Sequence, residues 1–213
     1  MADNVERAPA TQASHVKATV HLVRHGQVEN PKGVIYGRLP GYHLSERGLL
    51  QAQAAAQRLS SADVGGVWAS PLERAQETAE IIATPHGLDV TTDDRLTESA
   101  NTLEGLGRTL GALLRSPKHL WGFRNPLKPS WGESFSDVRE RMMEIIEEAI
   151  TSCEGRDIVF VSHQTPVLVA RLALARRRVP PWLGLLECST GSISSLVLDD
   201  SRLTSATYFA PGV

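Results

Sequence analysis

The hydrophobic pattern of the chain switches between short apolar runs and longer stretches with helical spacing. The apolar runs predict strands at residues 19–23, 66–69, 89–96 and 157–162. Apolar positions at helical spacing predict helices at residues 45–59, 71–83, 103–115, 133–151 and from 165 onward. Residues 192–198 and 203–209 alternate in polarity around Asp199-Asp200 and predict a hairpin. Strands that alternate with helices indicate a three-layer α/β/α sandwich with a mostly parallel central sheet and a C-terminal edge hairpin.

Capping residues predict where three of these helices begin. Ser45 is placed to cap the first helix. Ser70-Pro71 and Thr165-Pro166 each combine a capping hydroxyl with a proline, which is favoured at the first helical position. The helix at 71–83 and the helix from 165 onward are therefore predicted to start directly after strands.

Several polar residues follow the predicted strands. Arg24-His25 comes after the first strand, the segment 70–74 after the second, and His163 after the strand at 157–162. Ligands of open parallel sheets bind beyond the carboxyl ends of the strands. These residues, although far apart in sequence, are expected to meet at one edge of the sheet.

Composition and charge exclude several classes of function. The 213 residues include 22 basic and 24 acidic side chains, so no overall positive field favours nucleic acid or an anionic membrane. No apolar run reaches the roughly 20 residues that span a bilayer. Cys153 and Cys188 are too few for a disulfide framework or a zinc cluster, and free thiols indicate a reducing, cytoplasmic location. The oligomeric state is left open, and a homodimer is compatible with the sequence.

The domain organisation is predicted to be simple, since the chain shows neither an internal repeat nor an interdomain linker. Residues 1–17 are polar, lack the apolar core of a signal peptide and are predicted to form a disordered tail. Residues 18–213 then form one domain with a lid-like insert at about 97–132. The insert either contacts an anionic or ring-bearing leaving group or is a solvated loop, and its candidate residues are Lys118, His119, Trp121, Arg124, Lys128 and Trp131.

Four motifs together resemble the histidine phosphatase superfamily, the phosphoglycerate-mutase-like group. They read Leu-Val-Arg-His-Gly at 22–26, Ser-Pro-Leu-Glu-Arg-Ala at 70–75, Arg-Leu-Thr-Glu at 95–98 and Val-Ser-His at 161–163. The resemblance covers about residues 19–210, with the motifs in the family's order. It implies a phosphatase that hydrolyses a small-molecule phosphomonoester through a phosphohistidine intermediate, with no metal and no other cofactor.

The resemblance also implies roles for individual residues. His25 matches the nucleophile, Arg24 and Arg74 match phosphate ligands, and His163 matches a further donor. These residue types suit the chemistry, because a phosphoryl group in transfer spreads negative charge over its oxygens and arginine binds such oxygens bidentately. A metal site is the other reading of two histidines with carboxylates, but the arginines would repel a dication.

The proton donor and the substrate side follow the family less closely. Glu98 matches the family's general acid, while Glu104 is the runner-up, with Leu103 where the family usually has tryptophan. Asn30 is a candidate phosphate ligand, although it lies five positions after His25 where the family's asparagine usually lies six after. Val28 replaces the usual serine or threonine. These departures and the short lid favour a phosphatase over a phosphoglycerate-mutase-type phosphoryl transferase. The other alternative is a non-catalytic phospho-ligand binding protein, and the retention of all the matched catalytic residues argues against it.

Overall fold

The computed structural model describes residues 17–107 and 132–213. Most of the predicted tail and of the predicted lid, including all six candidate residues of the lid, lies outside these described residues. Lys17, which the tail prediction included, begins the first strand. No helix within the two described ranges is long and apolar enough to cross a membrane.

A six-stranded sheet forms the centre of the molecule, in the order β3-β2-β4-β1-β5-β6. Four neighbouring strands, from β3 to β1, are parallel, and β5 and β6 continue the sheet as an antiparallel hairpin. The strands are β1 Lys17–Arg24, β2 Val64–Ala69, β3 Val90–Thr92, β4 Asp157–Ser162, β5 Ile193–Asp199 and β6 Arg202–Phe209. The predicted sheet with a C-terminal edge hairpin is confirmed.

Four α-helices in the described part of the chain cover the two faces of this sheet. They are α1 Glu46–Leu59, α2 Glu73–Ala83, α3 Phe135–Ser152 and α4 Gln164–Leu174. The helices α1 and α2 contribute to one hydrophobic cluster, and α3 and α4 contribute to another. Ser45 caps α1 as predicted, because its side chain accepts from the Gly48 backbone N–H. The three-layer α/β/α architecture is confirmed.

The strand β4 lies in the interior of the sheet because its sequence is apolar on both faces. Ile158 and Phe160 pack into the cluster under α3 and α4, whereas Val159 and Val161 pack into the cluster under α1 and α2. All four are fully buried, and each such side chain contributes about 1.5–3 kcal/mol by leaving water. This burial fixes the position of the residue that follows β4, which is His163.

The predicted starts of two helices are wrong. Helix α2 begins at Glu73 with Leu72 as its N-cap and without a side-chain cap, so Ser70 is not the capping residue. Helix α4 begins at Gln164 with His163 as its N-cap, so Thr165 and its proline lie inside the first turn. Proline fits there because a first-turn N–H has no partner within the helix.

Two further element predictions are only partly right or wrong. The third strand is limited to β3, because residues 94–96 form a 3₁₀ turn in which the Asp93 side chain accepts from the Arg95 N–H. In residues 103–107, the described part of the helix predicted at 103–115, residues 103–105 form a turn and Gly107 pairs with Val34 in an isolated β-bridge. Gly105 has a φ of 81°, which is incompatible with a right-handed helix.

Candidate active site

Three neighbouring parallel strands bring the predicted site residues together. Strand β4 lies between β2 and β1, and Arg24 at the end of β1 pairs with Ser162 at the end of β4. His25 and His163 therefore project from adjacent strand ends, with ring centroids 5.0 Å apart and ring planes at 61°. The expectation that these residues meet at one edge of the sheet is confirmed.

His25 is held as a neutral imidazole with one nitrogen available. The residue is 2% exposed, and its Nδ1 lies 2.7 Å from the carbonyl oxygen of Gly26. A carbonyl only accepts hydrogen bonds, so Nδ1 carries the proton and Nε2 keeps its lone pair. Burial above all, and then the charges of Arg74 and Arg24, hold the pKa of His25 well below 6.5. This state is the one that a nucleophilic histidine needs.

The backbone that carries His25 is tied to the helix that carries Arg74. The Gly26 N–H donates to Thr78 Oγ1 at 3.1 Å, and the same hydroxyl donates to the Arg74 carbonyl at 2.7 Å. A Cβ on Gly26 would lie 2.4 Å from the Gly48 carbonyl oxygen, so only glycine fits this approach to α1. Sequence analysis missed Thr78, although its position one helical turn after Arg74 was a usable signal.

Arg74 is fully buried and only partly satisfied. Its Nη2 donates to the Gly37 carbonyl at 2.6 Å, and its guanidinium carbon lies 4.9 Å from the centre of the Tyr36 ring. Its Nε and Nη1 are buried, and neither has a hydrogen-bond partner within residues 17–107 and 132–213. Burial lowers the pKa of Arg74, and electrostatic interactions with Tyr36, Glu98, Glu73 and Glu104 partly offset this lowering. A buried cation with unpaired donors is costly unless an anion joins it.

Two further buried nitrogens without a partner among the described residues belong to Arg24 and His163. Arg24 donates from Nη1 to the Cys188 carbonyl at 2.6 Å, and its Nε is buried without a partner. His163 is fully buried, with Nε2 2.8 Å from Ser70 Oγ and Nδ1 without a partner. Burial, followed by the His25 and Arg74 charges, holds the pKa of His163 well below 6.5. The site therefore offers one neutral histidine and two arginines to an oxyanion.

Glu98 and Glu104 both lie close enough to Arg74 to counteract part of the lowering of its pKa by burial. Glu98 Oε1 accepts from the Ser99 N–H at 2.8 Å, and Glu104 Oε1 accepts from the Arg38 N–H at 2.8 Å. Arg38 also donates from Nε to the Glu98 carbonyl at 2.6 Å, so one arginine fixes both segments. The choice of Glu98 as proton donor stays a prediction.

Asn30 lies in the wall of a cavity that opens beside the site. Its Nδ2 donates to the Val34 carbonyl at 2.9 Å and its Oδ1 accepts from the Val34 N–H at 3.1 Å, so the amide closes a turn. A phosphate role for Asn30 stays a prediction. The cavity holds about 690 Å³, and Arg24, Tyr36, Gln27, Glu29, Ser45, Glu46, Arg47 and Thr190 also line it.

Tyr36 is a site residue that sequence analysis missed. Its ring centroid lies 6.4 Å from that of His25, and it stacks on Tyr42 at 5.0 Å. Tyr36 and Arg24 line the cavity, whereas the buried His25 and His163 are not among its lining residues. The only sequence signal was an aromatic residue in a loop rich in glycine and proline. Within the described ranges, no cluster of three or more histidine, cysteine or carboxylate side chains is arranged as a metal site.

Comparisons with known proteins agree on one family. Residues 20–210 match the family model described as histidine phosphatase superfamily (branch 1). Protein Rv0525 of Mycobacterium tuberculosis is 46% identical over 194 residues, which cover 90% of this chain and 96% of that protein. Phosphoserine phosphatase 1 of Hydrogenobacter thermophilus is 35% identical over 190 residues, covering 85% and 87%. The solved structure of the mycobacterial glucosyl-3-phosphoglycerate phosphatase Rv2419c superposes with a TM-score of 0.72 at 27% identity, covering 91% and 97%.

Proposed function

This chain belongs to the histidine phosphatase superfamily, and we propose that it hydrolyses small-molecule phosphomonoesters through a phosphohistidine at His25, without a metal ion. Its relatives include phosphatases, and phosphatase is its enzyme class. One observation carries the proposal. The unprotonated Nε2 of a neutral His25 lies in a buried site in which nitrogens of Arg24, Arg74 and His163 have no hydrogen-bond partner among the described residues.

The first half-reaction transfers the phosphoryl group to the protein. Nε2 of His25 attacks phosphorus, the new N–P bond forms, and the ester P–O bond breaks on the opposite side. Arg24 and Arg74 bind the equatorial oxygens, where negative charge accumulates. Glu98, in its protonated form, gives its proton to the leaving oxygen, so the alcohol departs neutral.

The second half-reaction releases inorganic phosphate. The Glu98 carboxylate takes a proton from water, and the water oxygen forms a new P–O bond. The N–P bond breaks with its electron pair returning to Nε2 of His25. The Nδ1–H of His25 donates to the Gly26 carbonyl, and this hydrogen bond keeps the tautomer unchanged through both steps. Both half-reactions draw their positive charge from guanidinium groups of this chain, which is the basis for proposing metal independence.

The relatives' names suggest the class of substrate. Phosphoserine and glucosyl-3-phosphoglycerate phosphatases, by name, act on phosphate esters of small metabolites. The cavity beside Arg24, with about 690 Å³ and a largely polar wall, has room for a leaving group of that class.

Hydrolysis of p-nitrophenyl phosphate in excess EDTA, combined with trapping of the phosphoenzyme, tests the proposal. We expect full turnover with chelator and an acid-labile, alkali-stable phosphoryl adduct. His25→Ala should remove both turnover and adduct, whereas the exposed His43→Ala should retain both. Activity that vanishes in EDTA and returns with zinc or magnesium contradicts metal independence. An adduct that persists in His25→Ala moves the nucleophile elsewhere, and transfer to an added alcohol without phosphate release favours a transferase.

A further inference from the structure

We infer that Ser70 is a positioning residue that sets the tautomer of His163, so that the ring directs its N–H into the phosphate site. This rests on the proposed function in one respect only, that the ligand of the site is an oxyanion. The hydrogen bond between the two side chains links residues 93 positions apart, across the ends of β2 and β4.

Ser70 is held firmly enough to orient a neighbour. The residue is fully buried directly after β2. Its N–H donates to the Val161 carbonyl at 3.1 Å, and its carbonyl accepts from Gln76 Nε2 at 2.7 Å. The serine does not cap α2, and its hydroxyl interacts with His163 across the sheet edge.

The hydrogen bonds around Ser70 Oγ determine where its proton points. The Leu72 N–H donates to this oxygen at 3.4 Å, so one acceptor position is taken. A serine hydroxyl has a single proton, and its other neighbour in the described structure is Nε2 of His163. The hydroxyl therefore donates to Nε2, which must then be the unprotonated nitrogen of the ring.

A neutral ring with an unprotonated Nε2 carries its proton on Nδ1. Burial and the neighbouring cations keep His163 neutral in the empty site, so this is its only N–H. Nδ1 is also the atom that is buried without a partner. The opposite tautomer would turn a lone pair of Nδ1 toward the oxygens of an anionic ligand, which repel it.

As a consequence, the neutral ring of His163 can donate from Nδ1 to phosphate, and His163 need not become a cation to do so. Without the Ser70 hydroxyl, both tautomers of the ring become accessible and part of the molecules lose this donor. A hydrogen bond to a charged acceptor such as a phosphate oxygen is stronger than one between neutral groups. We therefore expect Ser70→Ala to weaken vanadate binding and turnover about 10-fold.

Side-chain ¹⁵N NMR of the folded protein at neutral pH tests the inference directly. The His163 signals are assigned by their absence in His163→Gln. We expect a protonated Nδ1 and an unprotonated Nε2 in the wild type, a mixture in Ser70→Ala, and the wild-type pattern in Ser70→Thr, which keeps a hydroxyl. The buried Ser194→Ala on β5 is the matched control and should change neither the tautomer nor vanadate affinity.

Several results would overturn the inference. A wild-type ring protonated at Nε2 contradicts it without any variant, so it can be tested even if Ser70→Ala fails to fold. An unchanged tautomer and unchanged vanadate inhibition in Ser70→Ala contradict it as well. The expected tautomer in a protein that hydrolyses no phosphomonoester would remove the proposed function and leave the positioning role of Ser70 intact.

Discussion

Replacing Arg74 by methionine separates its contribution to ligand binding from its contribution to the fold. Methionine is apolar and of similar length, so it removes the charge without leaving a large cavity. Arg74 is fully buried and presents two nitrogens without partners, which in the proposed complex would bind phosphate oxygens. Hydrogen bonds with charged partners contribute about 1.5–3 kcal/mol each. Two of them give about 3–6 kcal/mol, or roughly a 10²- to 10⁴-fold loss in vanadate affinity.

The same substitution should leave the ligand-free fold nearly as stable as before. It removes the cost of an unpaired buried cation, although it also leaves the Gly37 carbonyl without its donor. We expect urea unfolding of Arg74→Met to give a free energy equal to or above that of the wild type. Arg74→Lys should recover part of the vanadate affinity, because lysine restores the charge but not the planar fork.

Vanadate inhibition and urea unfolding, measured on the same preparations, distinguish a role of Arg74 in ligand binding from a role in the stability of the fold. Arg177→Met, at an exposed arginine after α4, should change neither quantity. If Arg74→Met binds vanadate like the wild type and unfolds more easily, then Arg74 only supports the Tyr36 loop and the proposed ligand role is wrong.

Two further predictions concern the proton donor and the dependence of stability on pH. Glu98→Gln should slow phosphorylation by an alkyl phosphate about 10²- to 10⁴-fold, but much less by p-nitrophenyl phosphate, whose leaving group departs unprotonated. Equal single-turnover losses on both esters remove Glu98 from this role, and a selective loss in Glu104→Gln transfers the role there. The folded-state pKa values of His25 and His163 are depressed below 6.5, so the unfolded chain binds more protons at low pH. Stability should therefore be complete above about pH 6.5 and fall below it, by about 1.4 kcal/mol per pH unit for each histidine that stays neutral. Urea unfolding at pH 7.5 and 5.5 tests this, since replacing both histidines by asparagine should reduce the slope. His43→Asn should not reduce it, because Glu77 raises the pKa of His43 and the contribution of this residue has the opposite sign.

The arrangement of His25 and His163 could be predicted from the sequence because it follows from local patterns. The apolar run at 157–162 has the composition of an interior parallel strand, and such a strand delivers its next residue to the ligand-binding edge of the sheet. The same reasoning applies to Arg24 at the end of β1. These relations need only the period of the hydrophobic pattern and the topology of a parallel sheet.

Contacts between segments distant in sequence could not be predicted in this way. Ser70-Pro71 has the local signature of a helix start, but the serine hydroxyl is engaged by His163 from another strand, and the helix begins three residues later. Nothing local indicates that Tyr36 lies over Arg74. In each case the partner comes from a segment that is distant in sequence, which local patterns do not encode.

The nitrogens of the site that have no partner among the described residues also link the stability of the ligand-free protein to its function. Burying Arg24, Arg74 and His163 with open hydrogen-bonding positions lowers the stability of the ligand-free fold. The ties from Gly26 through Thr78 to Arg74 hold the donors in place despite this cost. An oxyanion that fills the site forms the missing hydrogen bonds, and the side chains need not reorganise to bind it. These hydrogen bonds become stronger as negative charge builds up in the transition state. The same atoms that weaken the empty protein are therefore those from which we expect its catalytic power.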